Sequence, residues 1–212
     1  MVIAKQPTPG QTKTRLTPPL TPERAAQLYE KFLQDTLDLA RHVSNAARMI
    51  AYAPLGAEDY FHQLAPDYQL VPQVGNDLGE RLDNALTLCL NEGYARAVIM
   101  DSDSPTLPSQ FVASAFDALR HSDVVLGPCN DGGYYLIGLT RPQPRLLREV
   151  KMSTPHVLQD TLAIAREDNL RVALLDAWYD VDTVKELDHL RKELLAVRIG
   201  VAPRTRQFLV NQ

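Results

Sequence analysis

Two hydrophobic rhythms alternate along the chain: short apolar runs too brief for helices, and longer stretches in which apolar residues recur every three or four positions. The runs at 2–4, 48–53, 68–71, 97–100, 123–127 and 172–175 predict strands. Thr21-Pro22-Glu23 combines an N-cap, a first-turn proline and an acid, and so starts a helix. Ala25, Leu28, Tyr29, Phe32, Thr36, Ala40 and Val43 then follow at helical spacing. Further helices are predicted at 58–64, through Leu82, Leu86, Cys89 and Leu90, at 110–119, and through Val157, Leu158, Thr161, Leu162 and Ala165. Thr183 and Glu186 match a capping box for a last helix, pinned by Leu187, Leu190, Leu194 and Leu195. This alternation predicts an α/β chain with a parallel sheet and right-handed crossovers.

Composition narrows the function. A chain of 212 residues, 45% hydrophobic, is long enough for one domain with a substantial core, expected over 1–198 and followed by a C-terminal tail at 199–212. Its net charge of -4 argues against a nucleic-acid surface, so any phosphate site is expected to be local. Cys89 and Cys129 follow no metal-ligand or disulfide spacing, and no apolar stretch approaches the roughly 20 residues of a membrane span. A cytoplasmic protein without a membrane span is expected, with a homodimer as the candidate assembly.

The chemistry concentrates at Ala97-Val98-Ile99-Met100-Asp101-Ser102-Asp103-Ser104-Pro105. A buried strand here ends in two carboxylates, and the carboxyl edge of an open α/β sheet is where ligands bind. If the strand geometry persists, Asp101 and Asp103 share one face, where a hard cation such as Mg²⁺ or Mn²⁺ would join them. The plainer alternative is that Asp101 and Ser104 cap the next helix. The loop at 5–22 carries Lys5, Lys13 and Arg15 among Pro9, Gly10, Thr12 and Thr14, a composition suited to a polyphosphate. It is not a P-loop, because Thr12 and Pro7 stand where that motif needs glycine.

Three further stretches carry candidates. In Gly75-Asn76-Asp77-Leu78-Gly79-Glu80-Arg81, Asp77 and Glu80 make a plausible capping pair. Gly79 costs about 1 kcal/mol inside a helix unless something approaches the backbone, and a nucleobase or ribose is the candidate. Asp131-Gly132-Gly133-Tyr134 reads either as a tight turn between strands or as a carboxylate with room for substrate beside it. Asp180 and Asp182 are left over once Thr183 is assigned to its cap, and offer a second acidic pair for a metal.

With these pieces in place, the chain resembles the bacterial glycosyltransferase-A-like, radical SAM-associated transferases of the nucleotide-diphospho-sugar transferase superfamily, from Val2 to Leu190. The marks are Lys5-x-Pro7-x-Pro9-Gly10-x-x-Lys13-Thr14-Arg15-Leu16, Asp77-Leu78-Gly79-Glu80-Arg81, Asp103-Ser104-Pro105-x-Leu107, Gly127-Pro128-x-x-Asp131-Gly132-Gly133-Tyr134 and Asp180-Val181-Asp182-Thr183. The resemblance implies a three-layer α/β/α fold with a mostly parallel central sheet, Rossmann-like, binding a nucleotide across the sheet edge with a divalent metal. Many members have glycine at the position of Asp101, which makes Asp103 the firmer metal ligand.

Two reactions follow. In glycosyl transfer, ranked first, Asp103 with Asp101 or Asp182 holds the metal behind a nucleoside diphosphate leaving group, and Asp131 is the candidate base on the hydroxyl of a small-molecule acceptor. In nucleotidyl transfer, the alternative, Lys13 and Arg15 bind departing pyrophosphate. The first loop resembles that of guanylyl- and cytidylyltransferases. The nucleotide or nucleotide sugar is expected to contact Lys5, Pro9, Gly10, Lys13, Arg15, Asp77, Gly79, Arg81, Asp101 and Ser102, and the other substrate Gly132, Gly133 and Tyr134. A nucleotide-sugar-binding protein without catalysis is the third reading.

Overall fold

Seven strands form one sheet in the order β3-β2-β1-β4-β6-β5-β7. They are β1 (Val2–Lys5), β2 (Met49–Ala53), β3 (Gln69–Pro72), β4 (Ala97–Met100), β5 (Val124–Pro128), β6 (Tyr134–Leu139) and β7 (Val172–Leu174) in a computed structural model that describes residues 1–197 and 200–210. Every neighbouring pair is parallel except those of β6, which runs antiparallel to β4 and β5. The expected domain boundary at 198/199 lies outside the described residues.

The central strands are apolar on both faces because both are covered. Val2, Ile50, Val98 and Val125 face α1 (Pro22–Arg41), α2 (Glu58–Leu64) and α4 (Ser109–Ala118). Ala51, Ile99, Leu126 and Ile137 face α3 (Leu78–Asn91), α5 (Arg145–Arg148) and α6 (Val157–Glu167). This is the expected three-layer arrangement. The short α5 carries too few residues to show a period, and the sequence reading passed over it.

The outer side of α1 supports a third cluster. There Leu28, Tyr29 and Phe32 meet Leu16, Leu187 and Leu190 of α7 (Val184–Ala196), and Leu209 of α8 (Pro203–Val210). The segment read only as a tail thus contains a packed helix. Asp35 of α1, 3% exposed, accepts the N–H groups of Arg204 (3.2 Å) and Thr205 (2.8 Å) at the start of α8. A carboxylate from another helix therefore serves the unpaired donors that a helix start leaves. Among the described residues no helix is long and apolar enough to cross a membrane.

The caps form as the residues dictate. The Thr21 hydroxyl accepts Arg24 N–H at 3.3 Å, Asp77 accepts Glu80 N–H at 2.8 Å, and Thr183 with Glu186 completes its capping box. Gly79 differs from expectation. A Cβ there would lie 2.1 Å from the Leu147 carbonyl oxygen, so the group approaching this helix is α5 and not a nucleobase or ribose. Gly79→Ala is expected to lower stability by about 1–3 kcal/mol in urea unfolding, because overpacking against backbone outweighs the better helix propensity of alanine. Unchanged stability would show that α5 yields.

Candidate active site

The strand order reverses between β1 and β4, and a crevice opens there at the carboxyl edge of the sheet. Three chain segments meet in it: the loop after β1, the turn after β4, and the stretch between β7 and α7. The third is tied down by Val181 N–H donating to the Asp103 carbonyl at 3.0 Å, and Asp180 and Asp182 flank that bond. The antiparallel β6 explains a fourth contribution. It starts at the edge where β5 ends, so the turn between them brings Asp131 to the same crevice.

At the centre stands Lys13. Its side chain is 5% exposed, and its Nζ donates to Asp182 Oδ1 at 2.7 Å and lies 2.7 Å from Asp103 Oδ1. Burial works against the ammonium charge, but Asp103 and then Asp182 more than offset it, and the pKa stands above the ordinary lysine range. The backbone of Lys13 is left-handed (φ 51°), which turns its side chain inward at the head of the 3₁₀ turn Thr14–Leu16. Arg15 is mostly exposed, its guanidinium 3.8 Å from Asp182 Oδ2.

The Asp-x-Asp geometry corrects one expectation. β4 stops at Met100, so Asp101 and Asp103 do not continue a strand. Instead Asp101 folds over its own turn and accepts Asp103 N–H (3.2 Å) and the Ser104 hydroxyl (3.1 Å). This is close to the plainer capping alternative, although α4 itself starts later. Ser102 is engaged too: its hydroxyl donates to the Ile3 carbonyl (3.0 Å) and pairs with the Tyr29 hydroxyl (2.8 Å), which in turn accepts Lys5 N–H (3.1 Å). These bonds lock the β1 and β4 ends together.

The other candidates divide. Lys5, Lys13, Arg15, Arg81, Asp101, Ser102, Asp103 and Asp182 line one arm of the crevice, a cavity of about 450 Å³. Pro9 and Gly10 form an exposed turn and Asp77 an exposed cap, and with Gly79 they stand outside the lining. The second arm, about 500 Å³, has apolar walls that include Ile99, Tyr134 and Ile137, and a rim of Asp101, Asp131, Asp180 and Asp182. Gly133 lines it and donates its N–H to Asp131 Oδ1 at 2.9 Å. Gly132 serves packing, since a Cβ there would lie 2.0 Å from the Pro155 carbonyl oxygen. The sequence reading missed Gln73, Tyr29 and Ser153, which also line the crevice; Gln73 alone left a trace, a polar residue directly after a strand.

The acids repel one another. Burial, then Asp103 and Asp180, push Asp101 well above the ordinary carboxylate range, and burial with Asp131 and Asp182 raises Asp180 to about 6. Asp182 is instead lowered, because Lys13 outweighs the effect of burial. Asp103 Oδ1, buried, has no aligned hydrogen bond. Ligand atoms of Cys129, Asp131 and Asp180 lie within 4.8 Å of one another, but burial keeps the Cys129 thiol protonated. The carboxylate set therefore fits a hard divalent cation, with the thiol a poor ligand for one.

A pH dependence follows for metal-free protein. Asp180 has a folded pKa above its ordinary 3.8, so ionising it costs stability as pH rises from about 4 to 6, and the penalty persists at pH 7. The benefit of Asp182, with its lowered pKa, is lost only on acidification below its ordinary value. In chelator-treated protein Asp180→Asn should flatten the fall between pH 4 and 6 and gain about 1–2 kcal/mol at pH 7 in urea unfolding. An unchanged slope would contradict this electrostatic picture.

Comparison with known proteins agrees with the architecture. Over 205 residues the chain is 30% identical to the 2-phospho-L-lactate guanylyltransferase of Methanothermobacter thermautotrophicus, covering 90% of this chain and 87% of that protein. It superposes with a TM-score of 0.92 on a Desulfovibrio desulfuricans protein provisionally described as a nucleotide-diphospho-sugar transferase, 34% identical, over 99% of this chain and 92% of that one. The 4-diphosphocytidyl-2C-methyl-D-erythritol synthase of Anaerococcus prevotii shares the fold (TM-score 0.62, 12% identity, 92% of this chain and 95% of that one). The fold is thus that of nucleotide-diphospho-sugar transferases and cytidylyltransferases, and the similar proteins are transferases. The sequence ranks glycosyl transfer first, and the guanylyltransferase relative favours the alternative, nucleotidyl transfer. Residues 36–154 match the family described as an uncharacterized protein conserved in bacteria (DUF2064), and the chain belongs to that family.

Proposed function

We propose that this protein is a nucleotidyltransferase that joins a nucleoside monophosphate unit to a phosphorylated small molecule and releases pyrophosphate. The observation that carries the reading is Lys13, buried in the crevice wall on a loop that also presents Arg15 and follows Lys5 at the end of β1. A departing pyrophosphate gathers charge, and fixed cations facing it lower the barrier. The 30% identity to a guanylyltransferase supports the same reaction class.

The two arms suggest the division of substrates. The arm with the basic loop takes the triphosphate, and the arm rimmed by Asp131 and Asp180 takes the acceptor. An oxygen of the acceptor phosphate attacks the α-phosphorus, a new diphosphate bond forms, and the bond to the β-phosphate oxygen breaks. The attacking oxygen of the acceptor phosphate is already ionised at neutral pH, so Asp131 is not needed as a base on this reading. Asp103, Asp180 and Asp182 are the residues that would hold Mg²⁺ or Mn²⁺, which when bound offsets phosphate charge. Lys13 exchanges its two carboxylates for the phosphates, and Arg15, exposed beside them, closes on the leaving group. The second reading, glycosyl transfer, keeps the support of the Desulfovibrio structure.

Pyrophosphate release from nucleoside triphosphates, with 2-phospholactate among a panel of phosphorylated acceptors, separates the readings. Lys13→Gln and Arg15→Gln should each lower kcat/KM by about 10²–10³, the usual effect of removing one charge-stabilising donor. Asp103→Asn should abolish Mg²⁺-dependent turnover. Consumption of a nucleotide sugar, with no triphosphate turned over, would overturn the proposal.

A further inference from the structure

Gln73 follows β3 directly, and its N–H extends the ladder to the Tyr52 carbonyl at 2.9 Å. Its side chain, in a residue only 8% exposed, forms part of the wall of the arm that holds the basic loop. The Nε2 group donates twice, to the Ala4 carbonyl at 2.9 Å and the Ala51 carbonyl at 2.8 Å. A carboxamide carries two donors at one end and an acceptor at the other. Two carbonyls can be satisfied only by the amino end, so the side chain cannot flip without leaving both unpaired. Among the described residues no group donates a hydrogen bond to Oε1. It is a fixed acceptor left on the crevice side.

Its position matters as much as its polarity. Gln73 follows β3 and bonds to β1 and β2, whereas Lys13 meets Asp103, which follows β4 on the other side of β1, and all of them line the same arm with Arg81. Arg81 is itself held, its Nε donating to the Gly75 carbonyl at 3.0 Å. With the phosphates at the basic loop, the far end at Gln73 is where the base of the same nucleotide comes to rest.

We propose that Gln73 determines base specificity, its Oε1 accepting from the ring imino and exocyclic amino groups of a guanine. This rests on the nucleotidyl-transfer reading. Guanine places those two donors side by side, which suits a single rigid acceptor. A base with a carbonyl in place of the amino group keeps the imino donor but sets a second acceptor against Oε1, which repels it.

The test is equilibrium binding of guanosine, inosine and xanthosine triphosphates with Mg²⁺ to the wild-type protein and to Gln73→Met. For wild type the expected order is guanosine over inosine over xanthosine, with the first step about three- to tenfold, the worth of one hydrogen bond. In Gln73→Met guanosine triphosphate should lose more affinity than inosine triphosphate, which keeps only the imino donor, so the guanosine-to-inosine ratio should collapse toward one. A general loss of fold would weaken all three together and leave the ratio standing. Equal binding of the three by wild type, or an unchanged ratio in the variant, overturns the assignment of Gln73 alone. Failure of wild type to bind any triphosphate overturns the nucleotidyl-transfer reading together with it.

Discussion

One buried ammonium organises this crevice. Lys13 sits between Asp103 and Asp182, and those three residues come from the loop after β1, the turn after β4 and the segment before α7. Each carboxylate alone would repel its neighbours at a partly desolvated sheet edge. The lysine lets them converge, at the cost of a left-handed backbone at a non-glycine position. Among the described residues Asp101 and Asp180 make no ion pair with it, and burial together with the neighbouring carboxylates raises both of their pKa values.

Topology decides which acids arrive. In a wholly parallel sheet the segment after β5 would cross to a helix and leave this edge. Because β6 returns antiparallel between β4 and β5, its first residues stay beside Asp101, whose N–H donates to the Tyr135 carbonyl at 2.9 Å. Gly132 makes the return compact enough for α6 to start against it, with Leu158 N–H bonded to the Gly132 carbonyl at 2.9 Å. The second arm of the crevice is a product of that one reversed strand.

Much of the fold was legible from periodicity alone, since six of the seven strands are apolar runs with turn signals and the longer helices carry their own caps. The site was legible where chemistry and position coincide in sequence: a basic loop after the first strand, acids after the fourth. Bonds between distant residues were not legible. Nothing local says that Asp101 will fold onto Ser104, that Gly79 answers to Leu147, or that Lys13 will stand where a metal was expected. Gln73 is the sharpest case, because its role depends on two main-chain carbonyls in two other strands.

The separation of partners along the chain has a consequence for how the molecule is assembled. Lys13 and Asp182 are 169 positions apart, and Asp35 meets Thr205 across 170. The second contact seats α8 in the cluster that also holds Leu16, directly behind the loop bearing Lys13. Pairings of such range form late, after local helices and hairpins. During synthesis the loop bearing Lys13 emerges well before Asp182, and it lacks that partner until the segment before α7 has been made. The complete crevice is therefore expected to assemble only after its sheet has begun to pair.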